Sequence, residues 1–133
     1  MKTTILTIFI SALAFLSNAQ HTLTIEITNL KTDNGTVMIA LYDGQEKAVK
    51  KVKGTVKDKT CTVEISDLPS GTYAVQYYHD ENDNGKMDTG MFGKPEEGYG
   101  YSNDARGFMG PADFEDQIFE LNENLKIVLK TVR

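Results

Sequence analysis

The sequence predicts an all-β protein: a single antiparallel β-sandwich of about seven strands, interrupted by one long, glycine-rich acidic loop. Two observations support this fold class. Apolar and polar residues alternate with period two through most of the chain, and turn-forming residues separate the alternating segments. In addition, no segment has the apolar period of a long amphipathic helix, so the pattern favours two packed sheets over a helical architecture.

The first residues have the arrangement of a secretory signal peptide. Lys2 precedes a short apolar run, and the small residues Ser17 and Ala19 follow as signal-peptidase cleavage requires. The run is shorter than the roughly 20 residues that span a bilayer. We expect removal of residues 1–19, a single domain over residues 20–133, no membrane span after cleavage, and export to the periplasm or secretion. A retained N-terminal anchor is the alternative.

Alternating segments follow the predicted cleavage site. HTLTIEITNL and TVMIALY are the first two predicted strands, and Asn34-Gly35 between them suits the positive φ of a tight hairpin. We interpret the lysine-rich KAVKKVKGTVKDK as a solvated hairpin or an edge strand protected by its charges. CTVEISDL and TYAVQYYHD are the next strands, and Cys61 is expected to be a small buried residue of the core.

The C-terminal segments predict a short helical turn and a last hairpin. Pro111 suits the first position of a helix, so PADFEDQ is the candidate helical turn. QIFEL and LKIVLKTV, joined by NEN, have the pattern of two strands with a turn between them.

The charge of the chain argues against a nucleic-acid partner. The formal net charge is −5, and the one basic stretch has no interleaved aromatic residues. Binding to phosphates needs clustered lysine and arginine side chains on one surface.

The segment from about residue 78 to residue 117 lacks a clear strand pattern. Loops longer than roughly 12–15 residues in compact domains are usually functional or disordered. The aromatic residues of this segment argue against disorder. Seven of the eleven glycines lie between Gly85 and Gly110, which indicates many tight turns. We therefore expect this loop to be held in place, and a bound cation is the simplest means.

The start of this loop, HDENDNGKMDTG, predicts a calcium site. Oxygen-bearing side chains recur at alternate positions with Gly85 at the bend, as in an EF-hand loop. The pattern then fails, because Met91 stands where that loop needs a bidentate glutamate. The predicted metal ligands are Asp80, Asn82, Asn84, the backbone carbonyl of Lys86, and Asp88; candidates for additional ligands are Glu96, Glu97 and Asp104. A metal-free turn rich in Asp and Asn is the alternative.

Three further residues are candidates for contacting a ligand. Parity along its strand places His79 on the core face at the rim, where we expect a buried structural histidine. Tyr99 and Tyr101 have ring faces suited to a protein or glycan ligand, although they equally suit packing of the loop onto the sandwich. The sequence contains no nucleophile elbow, zinc-ligand spacing or phosphate-binding glycine loop. We therefore assign no catalytic residue.

Several blocks of the sequence carry a family resemblance. GTVMIALYD, LPSGTYAV, YHDENDNGKMDT, GKPEEGYGYSND and GPADFEDQIFEL occur in this order. Together they resemble a family of exported bacterial proteins catalogued as domain of unknown function 2141. The resemblance implies an immunoglobulin-like or prealbumin-like β-sandwich with a signal peptide, and it implies no particular activity.

These observations lead to one functional expectation and two alternatives. We expect an exported, non-enzymatic module whose loop, ordered by calcium, acts as a binding or assembly surface in the cell envelope or outside the cell. One alternative is an envelope hydrolase that uses His79 with loop carboxylates. The other is a carrier of a small ligand, by analogy with prealbumin-like folds.

Overall fold

A computed structural model describes residues 19–87, 97–108 and 110–132. These residues form eight strands, one short helix and one 3-10 turn. The strands are β1 (Gln20–Thr28), β2 (Thr36–Asp43), β3 (Ala48–Thr55), β4 (Cys61–Pro69), β5 (Gly71–Asp80), β6 (Tyr99–Tyr101), β7 (Phe119–Leu121) and β8 (Leu125–Lys130). The helix α1 is Phe114–Gln117, and the 3-10 turn is Ser102–Asp104. The predicted signal peptide lies almost wholly outside the described residues and stays a prediction.

The strands form two sheets that pack face to face. One sheet, here called the β1 sheet, has the order β4-β1-β8. The other, called the β2 sheet, has the order β3-β2-β5-β6, with β7 also paired to β5. The described strand pairs are antiparallel except for β1 and β8, which run parallel. The predicted all-β antiparallel sandwich is therefore confirmed, with one parallel pair at the edge of the β1 sheet.

The core lies between the two sheets and follows the predicted alternation. Every second residue of β1 and β2 is buried, whereas the residues between them are partly exposed. Burying a valine, leucine or isoleucine side chain contributes about 1.5–3 kcal/mol to stability relative to leaving it in water. Cys61 is buried, as predicted. The main contributors from the central strands are Leu23, Ile25, Ile27, Val37, Ile39, Leu41, Tyr73, Val75 and Tyr77.

The two predicted hairpins are wrong. The chain bends at Gly35, which has φ +79°, but this segment connects β1 in one sheet to β2 in the other. Strands β7 and β8 do not pair with each other either: β7 pairs with β5 in the β2 sheet, and β8 pairs with β1 in the β1 sheet. The alternation of apolar residues identifies the buried face of a strand, but it leaves the neighbouring strand undetermined.

The remaining segments largely agree with the sequence. β3 is an edge strand of the β2 sheet, and its lysines are exposed, as expected for a charge-protected edge. The predicted helical turn exists, but it begins at Phe114, so Pro111 precedes the helix instead of opening it. In the part of the chain that the structure describes, no helix combines the length and apolar character needed to cross a membrane.

Candidate functional site

The strand β5 ends at the candidate site, where His79 is enclosed by the protein. The residue is 0% exposed, which confirms its predicted burial. Its Nε2–H donates to the backbone carbonyl of Asn34 at 2.6 Å, so Nε2 carries the proton. Its Nδ1 lies 3.9 Å from Glu81 Oε1, and neither of these two atoms has a hydrogen-bond partner. A ring enclosed in this way does not face solvent, so the geometry gives no support to a hydrolase or to ligand contact through His79.

The connection between β1 and β2 packs closely against this strand end. Gly35 adopts φ +79°, and a Cβ atom there would overlap the backbone carbonyl oxygen of Asp80. Glycine is therefore required both for the backbone conformation and for the close approach. This packing helps to hold the end of β5 and the first residues of the acidic loop in one position.

Asp80 organises the acidic loop from within. The residue is only 2% exposed. Its Oδ1 accepts a hydrogen bond from the backbone N–H of Asn84 at 3.2 Å, and its Oδ2 accepts one from Gly85 at 2.8 Å. Gly85 has φ +80°, which turns the chain back toward the carboxylate. The loop therefore wraps around a buried carboxylate.

The asparagine side chains continue this inward pattern. Asn82 Oδ1 accepts a hydrogen bond from the N–H of Asn84 at 3.3 Å, and Asn84 Oδ1 accepts one from Lys86 at 3.0 Å. Oxygens of Asp80 and Asn82 thus converge on the same backbone nitrogen. These bonds are typical of turns rich in Asp and Asn. They also bring several oxygens of the loop near one another.

Glu97 and Asp104, two of the candidates for additional metal ligands, lie in different environments. Glu97 is buried, and its Oε2 accepts a hydrogen bond from the backbone N–H of Glu81 at 2.6 Å. The structure therefore brings Glu97 to the start of the acidic loop. Asp104 is exposed, and its Oδ1 accepts a hydrogen bond from the N–H of Lys130 in β8 at 2.9 Å. Asp104 thus has a structural partner at the β1 sheet.

The metal prediction extends beyond these residues. Asp88 and Glu96 lie outside the described residues. Among the residues that are described, no three His, Cys, Asp or Glu side chains are grouped so that they could hold a metal ion. A calcium shell of the predicted kind also uses amide and backbone oxygens. The calcium site therefore stays a prediction.

The two candidate tyrosines lie together on β6. Tyr99 pairs with Tyr78 across the β2 sheet, and Tyr101 pairs with Gln76. The rings of Tyr99 and Tyr101 meet edge to face, with centroids 6.1 Å apart and planes at 78°. Burial raises the pKa of Tyr101, the neighbouring Tyr99 adds to this, and a hydrogen bond to the backbone of Ala112 opposes it. The Tyr101 hydroxyl is therefore protonated at neutral pH.

Tyr99 and Tyr101 line a groove that the sequence analysis missed. The groove lies on the outer face of the β2 sheet and has a volume of about 590 Å³. The outward positions of TVMIALY and TYAVQYYHD carry methionine and tyrosine, and these apolar and aromatic residues on the solvent face are the sequence signal for such a groove. Other side chains of the groove are Met38, Ala40, Tyr42, Lys51, Lys53, Gln76, Tyr78 and Met87.

The fold and the site define a β-sandwich module with an acidic loop at the end of its central strand β5 and an aromatic groove beside that loop. The chain belongs to a bacterial family: residues 25–128 match the family described as "Uncharacterized protein conserved in bacteria (DUF2141)". The resemblance noted in the sequence is thereby confirmed. No curated protein and no solved structure matches the chain. The family description assigns no activity, so the function has to be argued from the site.

Proposed function

We propose that this protein is an exported, non-enzymatic β-sandwich module whose acidic loop binds calcium and whose surface serves binding or assembly in the cell envelope or outside the cell. The observation that carries the proposal is the arrangement around Asp80. The buried carboxylate of Asp80 occupies the first position of the loop and accepts hydrogen bonds from the backbone N–H groups of Asn84 and Gly85. The loop is thus already curved around the place where the first calcium ligand is expected.

The proposed coordination uses oxygens that this curvature brings near one another. A carboxylate has about four lone-pair sites, and the two N–H bonds to Asp80 use two of them. Asn82 Oδ1 converges on the same region, and the backbone carbonyl of Lys86 and the carboxylate of Asp88 are the further proposed ligands. Calcium accepts six to eight such oxygens at roughly 2.3–2.6 Å. Water completes a shell that the protein leaves partly open.

The surroundings of the loop favour a cation. Glu97 is buried, and its Oε2 accepts a hydrogen bond from the backbone N–H of Glu81, the residue that follows Asp80. Two acidic side chains are therefore buried near the start of the loop, each with backbone hydrogen bonds. A divalent ion adds a positive charge to this acidic region and orders the loop at the same time.

Export supports calcium as the ion. Calcium-binding modules outside the cell work with dissociation constants of roughly 10⁻⁴–10⁻³ M, which suit an incomplete set of protein ligands. The signal-peptide arrangement at the N-terminus supports export. An ion present at about 100 times its dissociation constant adds about 2.7 kcal/mol to the free energy of unfolding.

The non-enzymatic part of the proposal rests on His79. The ring is fully buried and donates to a backbone carbonyl, as a structural histidine does. The groove that is open to solvent lies instead on the outer face of the β2 sheet. A surface that binds a ligand without transforming it therefore fits the arrangement best.

A thermal melt over a calcium series, with chelator and magnesium as references, tests the calcium proposal. We expect the melting temperature of the wild-type protein to rise by several degrees in millimolar calcium. Asp88→Asn replaces a proposed carboxylate ligand by a weaker, uncharged amide oxygen and should raise the half-maximal calcium concentration about tenfold. Asp83→Asn is the matched control, because Asp83 Oδ1 accepts a hydrogen bond from the Thr36 hydroxyl at 2.8 Å and so turns toward β2.

The Asp83→Asn control distinguishes a loss of coordination from a loss of charge, because both substitutions remove one negative charge from the loop. Equal weakening by Asp83→Asn and Asp88→Asn would mean that the loop responds only to its net charge. A melting temperature that is the same in calcium and in chelator would remove the calcium site and leave a metal-free turn.

A further inference from the structure

We propose that the outer face of the β2 sheet binds an acidic oligosaccharide, a chain of sugar rings that carry carboxylate or sulfate groups. This inference rests on the proposed function, because it names the ligand class for the binding surface of the module. The groove of about 590 Å³ has a size common among ligand sites.

The strand register arranges the groove as two rows of side chains. Each row crosses from the edge strand β3 through β2 and β5 to β6. Adjacent strands are roughly 4.8 Å apart, so a row spans roughly 14 Å, long enough for a short chain of sugar rings. The first row consists of Lys53, Met38, Tyr78 and Tyr99, and the second of Lys51, Ala40, Gln76 and Tyr101.

The two ends of the rows differ in charge and chemistry. Lys51 and Lys53 place two ammonium groups at the β3 end, and both residues are exposed. The described residues that line the groove include no aspartate or glutamate, although the chain carries a net charge of −5. A concentration of positive charge on one face of an acidic protein favours an anionic ligand.

The tyrosine end of the groove stays polar but uncharged. Burial raises the pKa of Tyr78, and the nearby carboxylates of Asp80 and Glu97 add to this effect. Both carboxylates are buried, and neither lines the groove. The Tyr78 hydroxyl is therefore protonated at neutral pH; it donates to the backbone carbonyl of Gly85 at 3.4 Å and can accept a hydrogen bond from a ligand hydroxyl.

The aromatic rings supply the apolar part of the recognition. Tyr78, Tyr99 and Tyr101 are half-buried, so each ring is supported by the sheet and still partly accessible. A tyrosine ring offers apolar surface to the C–H face of a sugar, while its hydroxyl serves the sugar hydroxyls. Gln76 lies between the two ends, with its amide fixed by a hydrogen bond from Nε2 to Gln117 Oε1 at 3.0 Å. Rings, hydroxyls and a fixed amide together match a polyhydroxylated chain.

The position of the groove favours a glycan over a peptide. An extended peptide gains affinity mainly by adding backbone hydrogen bonds along an exposed sheet edge. Here β2 and β5, the strands at the centre of the groove, are already paired on both sides. The ligand is therefore recognised by side chains on the face of the sheet.

Isothermal titration of the purified protein with oligogalacturonate tests the inference, with a neutral malto-oligosaccharide of equal length as reference. We expect oligogalacturonate to bind about fivefold more tightly than the neutral chain, since two exposed ion pairs add to the ring contacts. Lys51→Gln with Lys53→Gln should remove this advantage. Lys47→Gln with Lys50→Gln is the matched control, because it removes the same charge from exposed positions outside the groove.

A second pair of variants tests the rings. Tyr78→Leu should weaken binding about fivefold, whereas Tyr78→Phe keeps the ring face and should stay within about twofold of the wild type. Thermal melts of each variant show whether it is folded. Equal weakening by both lysine pairs, equal binding of the neutral chain, or tighter binding of polyaspartate or single-stranded DNA would overturn the inference.

The outcomes also separate this inference from the calcium proposal. A calcium-dependent melt without oligosaccharide binding overturns the inference alone. Oligosaccharide binding that is weakened to the expected extent in the Lys51/Lys53 and Tyr78→Leu variants supports it, even if the melt shows no response to calcium.

Discussion

Replacing Ser102 by alanine tests how the edge of β5 is closed beside the groove. β6 pairs with residues 76–78 and β7 with residues 71–73, so a gap remains between the two short strands. Val75 lies in this gap, and its N–H donates to Ser102 Oγ at 2.9 Å. The Ser102 hydroxyl donates in turn to the carbonyl of Gln117 at 2.5 Å. One fully buried hydroxyl thus connects β5 to the segment of α1.

The expected loss follows from the two backbone groups that alanine would leave without this partner. A buried polar group without its hydrogen-bond partner costs about 1–3 kcal/mol. Val75 is 0% exposed, so water does not readily replace the Ser102 hydroxyl. We expect Ser102→Ala to lower the free energy of unfolding by about 2–3 kcal/mol. For a domain of this size the melting temperature should fall by roughly 6–15 °C.

Urea unfolding followed by circular dichroism measures this loss, and Ser66→Ala is the matched control. Ser66 is exposed, and its contact with the Thr22 hydroxyl is long at 3.5 Å, so we expect a change within about 0.5 kcal/mol. A loss for Ser102→Ala below about 0.5 kcal/mol, or equal losses in the two variants, would refute the reasoning.

Three further predictions concern single residues. Gly35→Ala should lower the free energy of unfolding by about 2 kcal/mol or more, because a Cβ atom at φ +79° is strained and would overlap the Asp80 carbonyl oxygen. An unchanged free energy of unfolding in a denaturant melt would contradict this. Burial raises the pKa of Tyr77 from 10.0 to about 12, although a hydrogen bond to Thr131 opposes it. The folded state therefore retains the proton, so stability is unaffected below about pH 10 and falls as the pH rises toward about 12; urea melts should show this fall, and Tyr77→Phe should reduce it. Cys61 is buried and burial raises its pKa, so a thiol reagent should react about a hundredfold faster in urea than in the native protein, whereas similar rates would contradict its enclosure.

Several parts of the candidate site followed from local sequence. The parity of β5 placed His79 on the core face. The spacing of polar residues after it predicted oxygens that converge on a cation, with a metal-free turn rich in Asp and Asn as the alternative. The hydrogen bonds from Asn84 and Gly85 to the Asp80 carboxylate are compatible with both, so the metal site stays a prediction. Such features depend on residues within about one turn of each other, so the short-range pattern contains the relevant information.

The association of Glu97 with the loop and the groove of the β2 sheet were harder to predict. Glu97 approaches Glu81 because β6 pairs with β5, and β6 is too short to show an alternating pattern. The groove needs Lys53 and Tyr99 on one face, and strands β4 and β5 together with residues 81–98 lie between these two positions in the chain. No local pattern relates positions so distant in the chain.

The same contrast applies to the whole fold. Alternation along each segment was enough to identify strands and their buried residues, because every second side chain of a half-buried strand must leave water. The choice of neighbours was a property of the folded chain: β8 joined β1 in parallel, and β2 crossed to the opposite sheet from β1. Many strand pairings are compatible with the same alternating pattern. The native pairing is the one that leaves the least apolar surface exposed when the two sheets pack, and it therefore depends on all segments of the chain.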